Sequence, residues 1–328
     1  MSLLLQYTLI FSSVLLLVAL GGCFSEHSGV INIGLEGIMV IGALGGALVM
    51  KYLPSDCPAF AVLLLVVLGA VLLGMLYSLL LGVAAIRFNA DQTLVGTAMN
   101  LLGTAAATVI VKAMNTAENA SNVSSEIAYI EARKKFLIAD GMEYNWFMVI
   151  AVAVLILSWV VLYKTRFGLR LRSCGEHPQA SNSVGINVYA MRYAGVLISG
   201  ALGGLGGVVY ITAGVSLWKF ENGVTGFGFL ALAVMIFGAW KPTRIALAAL
   251  LFGFFRALGN VYTGLFGTLA DSSAGISWLS GIFRSLTDVP GTIYNMLPYI
   301  ISLIVLAFTS KSSAAPKAEG IPYDKGMR

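Results

Sequence analysis

The sequence predicts an all-α, polytopic integral membrane protein of about nine transmembrane helices, some of them short or re-entrant. Three observations carry that prediction. Of 328 residues, 58% are hydrophobic and only 11% are charged, whereas a soluble domain carries about 25% charged residues and needs them to cover its outside. Apolar runs close to the ~20 residues needed to span a bilayer recur along the whole chain. The basic residues cluster in a few loops between those runs, as membrane orientation requires. Mean hydropathy is +0.88, and the isoelectric point near 9.1 therefore reflects orientation in a membrane and not a nucleic-acid partner.

The runs are 3–21, 33–50, 59–86, 92–112, 146–163, 191–215, 226–240, 244–264 and 292–309. The first ends in LGGC at Leu20–Cys23, which imitates a lipoprotein cleavage site. No Lys or Arg precedes it, so it reads as a retained span. The run 59–86 is long enough to tilt or to extend beyond the bilayer. The run 226–240 is short and bounded by glycine, a pattern tolerated at membrane depth only inside protein or beside a water-filled path.

Basic residues set the orientation. Lys164, Arg166, Arg170, Arg172 and Arg192 against Glu176 place the 164–192 segment, with its loop at about 164–190, in the cytoplasm. The loop at about 113–145 balances Arg133, Lys134 and Lys135 against Glu118, Glu126, Glu131, Asp140 and Glu143, and suits the outside. Lys241 and Arg244 form a second cytoplasmic turn. Counting back gives an external N-terminus. The chain thus divides into a transmembrane domain over 1–310 and a basic, Ser/Ala/Pro-rich cytoplasmic tail over 311–328 that is expected to be disordered. Cys174, in the cytoplasmic loop, is expected to react with thiol reagents from that side only.

Cys23, Cys57 and Cys174 show no metal or disulfide spacing, and the two histidines lie far apart, which argues against a metal site. GALGG occurs at Gly42–Gly46 and again at Gly200–Gly204. Glycines four apart permit close helix approach, and the echo raises the question of a duplicated half.

Four segments hold chemistry that packing alone does not require. In SGVINIGLEG (Ser28–Gly37), Asn32 and Glu36 stand at the mouth of a span. A carboxylate there either lines a path or caps a helix N-terminus. In RFNADQTLVGTAMN (Arg87–Asn100), Asp91 can cap the next span, and Gln92, Thr93, Thr97 and Asn100 follow. Thr93, Thr97 and Asn100 share one face by spacing, as a hydrogen-bonding wall or as ordinary interhelical contacts. The segment Arg166–Arg192 is amphipathic and too polar to span, with Pro178 suited to the first turn of a short helix. Anchoring in headgroups would explain its arginines but not Gly175-Glu176-His177-Pro178. In Leu217–Arg244, Trp218, Lys219 and Glu221 read as an external rim. Gly223, Gly226 and Gly228 permit a turn in the membrane, and Phe227 and Phe229 offer flat faces to a ring-bearing solute or simply pack.

These segments together resemble one family. NIGLEGIM, the polar turn before a Thr/Asn span, FGLRLRSCGEHPQASNSVGINV and GFGFLALAVMIFGAWKPTRIALAALLFGFFRAL look like permease subunits of bacterial ABC importers, in the branched-chain amino acid, ribose and nucleoside permease group. NIGLEG is closest to the nucleoside and simple-sugar branch. The resemblance runs from about Leu20 to Phe308. It implies a type II ABC importer-like permease without catalytic residues or a bound cofactor, ATP and Mg being held by a partner ATPase. It also implies a second homologous permease, a substrate-binding lipoprotein and a place in the bacterial cytoplasmic membrane. The cytoplasmic loop would dock on the ATPase through Gly168, Arg170, Arg172, Gly175, Glu176, His177, Pro178, Ala180 and Ser181. Where the family carries Asn or Asp before the proline, this chain has His177. Asn32, Glu36, Gln92, Asn100, Phe227 and Phe229 would belong to the translocation path, and Trp218, Lys219 and Glu221 to the docking surface for the binding protein. A nucleoside, foremost a purine one, is the expected cargo, with simple sugar, riboflavin or a branched-chain amino acid as alternatives.

The chain lacks the G-x-x-x-x-G-K-[ST] phosphate loop, so hydrolysis would belong to the partner. A stand-alone transporter or channel would need ionisable groups at mid-membrane, for which Glu36 and Arg256 are the candidates. No Ser–Lys pair, His-Glu-x-x-His motif or paired Asp falls within a span, which argues against an intramembrane enzyme.

Overall fold

In a computed structural model the chain folds as a bundle of membrane helices. The structure describes residues 2–54, 56–138, 144–213, 217–272, 277–309 and 315–324. Asp140 and Glu143 of the outer loop, and residues 311–314 and 325–328 of the tail, lie outside the described residues.

The helices are α1 (Ser2–His27), α2 (Leu35–Tyr52), α3 (Ala59–Gly82, continued by a π-turn over Val83–Arg87), α4 (Gln92–Glu118), α5 (Ile130–Lys134), α6 (Trp146–Lys164), α7 (Arg166–Glu176), α8 (Pro178–Ser183), α9 (Val188–Ile211), α10 (Phe227–Phe237), α11 (Pro242–Ser272), α12 (Ser277–Thr287) and α13 (Gly291–Thr309). Among the described residues, seven are long and apolar enough to cross a membrane: α1, α2, α3, α4, α6, α9 and α11. The short α10 and the 19-residue α13 complete the nine apolar runs of the sequence. Two three-residue strands, β1 (Glu126–Ala128) and β2 (Leu217–Lys219), pair antiparallel with Glu126 opposite Lys219. They join the 113–145 loop to the rim after α9, on the face opposite α7 and α8. The chain is a multi-pass membrane protein.

Its centre is α1, α2 and α9, with α11 against α1 and α3 against both α2 and α9. Outer helices turn leucines and valines away from the protein: Leu72 and Leu76 on α3, Leu101 and Val109 on α4, Ile156 and Leu157 on α6. In lipid such faces need no protein cover. The centre closes tightly because the two GALGG stretches meet. Gly42 on α2 lies against the backbone of Gly204 on α9, so that a methyl group on Gly42 would overlap it. That is the small-residue crossing the glycine spacing allows.

Two expectations need correction. Helix α11 is longer than the run 244–264, because Pro242 starts it earlier and its polar end continues to Ser272. The described part of the tail, 315–324, is not disordered: it packs under the bundle, with Ala318 and Tyr323 buried. Composition hid this, because its contacts are mostly backbone groups and one aromatic ring.

Candidate functional site

The chain between β2 and α10 reverses within a few residues. Gly223 (φ 56°), Thr225 (φ 50°) and Gly226 (φ 81°) all adopt positive φ. For a β-branched residue such as Thr225 that conformation is strained, and strain of this kind is retained where surroundings over-determine it. Here the Tyr210 hydroxyl lies 2.6 Å from Thr225 Oγ1. Helix α10 then starts at Phe227, with Gly226 as an N-cap that has no side chain to offer.

Glu36 supplies the missing cap from α2. Its carboxylate accepts hydrogen bonds from Gly226 N–H (2.8 Å) and Gly228 N–H (2.7 Å). A negative group at the positive end of a helix satisfies both the orphan donors and the dipole. The 11 residues of α10 rise roughly 16 Å, about half of a ~30 Å hydrocarbon core, so α10 is too short to cross it alone. Glu36 is thus a capping acid, but for a helix 190 residues further along the chain rather than for its own.

The far end of α10 is pinned as well. Ala239 and Trp240 both have positive φ. The Trp240 indole N–H donates to Glu26, and its carbonyl accepts from Cys23 Sγ (3.3 Å) and meets His27 Nε2 (3.0 Å). Helix α10 is a half-helix held at both ends by α1 and α2.

The other polar residues of the expected path knit the link between α1 and α2. Asn100 accepts from Gly37 N–H (2.8 Å) and donates to the Ile33 carbonyl (3.0 Å). Gln92 Oε1 accepts from Ile31 N–H (2.7 Å), and Asn32 donates to Ser199 (2.8 Å). All four of Asn32, Glu36, Gln92 and Asn100 are buried. The expected common face of Thr93, Thr97 and Asn100 divides: Asn100 turns to α2, while Thr93 and Thr97 face outward, Thr97 bonding back to the Thr93 carbonyl. Phe227 is a further correction. It is 2% exposed, wedged among Phe11, Tyr210 and the Arg256 guanidinium, so it offers no face to a solute. Phe229 is 47% exposed, with half-exposed Tyr299 close to Gly226 nearby.

Asp91 caps α4 through Leu94 N–H (2.9 Å), as expected. At the outer rim, Lys219 pairs with Glu126 (3.5 Å), Glu221 with Lys112, and Trp218 donates to the Gly223 carbonyl (3.1 Å). The Lys112 ammonium holds the Glu221 carboxyl below its usual range.

On the opposite face, α7 and α8 form a hairpin. Thr165 caps α7 through Gly168 N–H, and Pro178 opens α8 at its first turn. The expected docking residues split into two sets. Gly168, Gly175, Pro178 and Ser181 are buried and shape the hairpin, a correction to their reading as contacts. Arg170, Glu176, His177 and Ala180 are exposed. Arg172 is stacked over the Tyr163 ring at 4.7 Å, which occupies it within the chain. Sequence reading missed two apolar side chains on this surface, Leu169 (64% exposed) and Val184 (75%). Beside the hairpin a cleft of ≈480 Å³ is lined by His27, Arg172, Glu176, Trp240 and Lys241 among others. It places the end of α10 next to the hairpin. Cys174, expected to react from the cytoplasmic side, is fully buried.

Comparison with known proteins identifies the family. Residues 4–306 match the family described as branched-chain amino acid transport system / permease component. The chain is 38% identical to the guanosine ABC transporter permease protein NupQ of Bacillus subtilis, over 100% of this chain and 98% of that protein. It is 36% identical to the nucleoside ABC transporter permease protein NupC of Lactococcus lactis, over 97% and 95%. A second Bacillus subtilis protein, the guanosine ABC transporter permease protein NupP, is 27% identical over 73% of this chain and 68% of its own length.

Proposed function

The chain belongs to the branched-chain amino acid transport system / permease component family, and from that premise we propose that it is the membrane-spanning subunit of an ATP-driven ABC importer for nucleosides, purine nucleosides foremost. The observation that carries the reading is end-to-end similarity to two permeases named for guanosine and for nucleosides. The subunit is non-catalytic. ATP and Mg are handled by a partner ATPase, since the sequence has no phosphate-binding loop of its own.

The exposed edge of the α7–α8 hairpin meets that ATPase. Leu169 and Val184 supply apolar area, and Arg170, Glu176 and His177 supply charge around it. The cleft next to it leads to Trp240 and so to α10. A push on the hairpin is thereby delivered to a half-helix whose other end is Glu36. Phe229 and Tyr299 stand exposed by that end and stack on a ring-bearing solute. A second permease completes the path. Two different permeases named for guanosine in one organism, NupQ and NupP, both resemble this chain, which favours a heterodimer. A substrate-binding lipoprotein docks on the rim of Trp218, Lys219 and Glu221, and the assembly sits in the bacterial cytoplasmic membrane with the hairpin inside.

The ionisable groups that a stand-alone transporter would need are engaged in the fold, Glu36 by α10 and Arg256 against Phe227. The test is uptake of labelled guanosine by cells with and without this chain, with competition by adenosine, uridine, ribose and leucine. Loss of guanosine uptake with the chain, and competition by nucleosides alone, is expected. Uptake unaffected by loss of the chain, or competition only by ribose or leucine, would overturn the substrate assignment.

A further inference from the structure

The described tail makes contacts that a loose end would not. Ala318 N–H donates to the Gly175 carbonyl at 2.8 Å. Gly175 is in the last turn of α7, where carbonyls have no partner within their own helix, so the tail caps that helix. Arg192, at the start of α9, is 1% exposed. A buried guanidinium is costly unless its donors find acceptors. Arg192 Nη2 donates to the tail carbonyl of Ile321 (3.0 Å), and the guanidinium lies 5.9 Å from the Tyr323 ring centre. That ring packs on Tyr189 (5.2 Å) and forms a small core with Cys174 and Val188. Gly320, at φ 75°, lets the tail turn against Ile31 in the α1–α2 link, and Gly29 of the same link faces the Ala318 carbonyl.

Three elements therefore meet on eight residues of tail: the end of α7, the link between α1 and α2, and the first turn of α9. The link is the segment tied to Asn100 and Gln92, next to the helix that carries Glu36. We propose that residues 316–323 are a strap that positions the α7–α8 hairpin against the α1–α2 link, so that motion at the hairpin reaches the helices around Glu36 as one body. Tyr323 and Arg192 are its positioning residues. The inference rests on reading the hairpin as the ATPase contact. Without the strap the hairpin still docks, but its motion is lost at the joint.

The experiment uses the whole transporter in membranes, with Cys23→Ala and Cys57→Ser in this chain so that maleimide on this chain reports on Cys174. Three variants are compared: a stop after residue 314, Tyr323→Ala and Tyr323→Phe. The readouts are membrane level, ATPase co-purification, nucleoside taken up per ATP hydrolysed, and the Cys174 alkylation rate. The stop and Tyr323→Ala are expected to keep the ATPase, speed alkylation about tenfold and lower uptake per ATP about tenfold. Tyr323→Phe keeps the ring, and the tail's hydrogen bond at this residue uses the backbone carbonyl, so it should match the parent. If the stop variant does not accumulate, Tyr323→Ala against Tyr323→Phe decides. Unchanged alkylation, or unchanged uptake per ATP with faster alkylation, would overturn the strap. Absence of any ATPase from the parent complex would instead sink the importer reading, and the alkylation comparison would still judge the docked tail.

Discussion

Glu36 and Gly228 are joined across 192 residues by a 2.7 Å hydrogen bond from the glycine amide to the carboxylate, which turns a side chain of α2 into the cap of α10. A second bond from Gly226 N–H completes the pair. Hydrogen bonds to a charged acceptor contribute about 1.5–3 kcal/mol each, and buried donors left without one cost more than the bond was worth. Glu36→Ala is expected to destabilise the detergent-solubilised protein by about 3 kcal/mol and to abolish uptake. Glu36→Gln keeps one good acceptor and should fall between. Thermal unfolding followed by aggregation or tryptophan fluorescence reads this directly. An Ala variant with unchanged melting and uptake would show that α10 is held by its far end alone.

Gly228 has no room for a side chain, because a methyl group there would overlap the backbone of Glu36. Gly264, on α11, faces open space. Gly228→Ala should therefore push α10 from its cap and cost about 1–3 kcal/mol, while Gly264→Ala should be neutral or slightly stabilising as a helix substitution. Measured melting temperatures of the two variants decide it. Equal effects would mean that the contact at Gly228 relaxes freely.

How much of this was legible in the sequence depends on the range over which each feature acts. Spans, the Asp91 cap, the Pro178 helix start and the glycine-bounded half-helix follow from local patterns, and the structure has them all. Glu36 could be recognised as an acid with a special role, but its partner is a turn whose position only tertiary packing fixes. Phe227 and Phe229 are two residues apart on one short helix, and nothing local says which is wedged against Arg256 and which is bare. The tail misleads most. Ser, Ala, Pro and Lys look like a solvated end, yet its anchor points are the amide of Ala318, the carbonyl of Ile321 and a single tyrosine. Arg192 read in the sequence as a loop charge that sets orientation, and only the structure shows it buried at the start of a span beneath the tail.

The hairpin makes its own forecast. Leu169 and Val184 are exposed at 64% and 75% on a face that the bilayer does not cover in the proposed orientation. Leu169→Asp and Val184→Asp should leave insertion and melting unchanged, since neither side chain is packed. Each should weaken ATPase co-purification about tenfold or more, as truncating an apolar anchor at an interface does. Glu176→Lys tests the charged edge in the same assay. Full ATPase recovery with the Leu169 and Val184 variants together would move the contact elsewhere on the cytoplasmic face.

The strap should also respond to pH, with a sign fixed by Glu319. Burial pushes its carboxyl up to about 7, and its Oε2 has no hydrogen-bond partner among the described residues. Glu26 of α1 faces it and repels it, while Cys174 of α7 and Tyr189 and Arg192 of α9 contact the neighbouring tail residues Ile321 and Tyr323. Burial also raises the Cys174 thiol. A carboxyl whose docked value lies above its free value, ~4.3, favours the docked strap when protonated. That contribution is complete below about pH 4, declines as pH rises, and is gone above the docked value near 7. Glu319→Gln removes the charge and keeps the shape, so it should hold the strap much more firmly than the parent at pH 8, less so at pH 5, and equally only below about pH 4. The measurement is the ratio of Cys174 alkylation rates, parent over variant, which cancels the thiol's own ionisation. A ratio that is a few-fold at pH 5 and rises at least about tenfold further by pH 8 is expected. A flat ratio would remove Glu319 from the strap, and a ratio that fell with pH would mean that the charged carboxylate, not the neutral acid, is the form that docks.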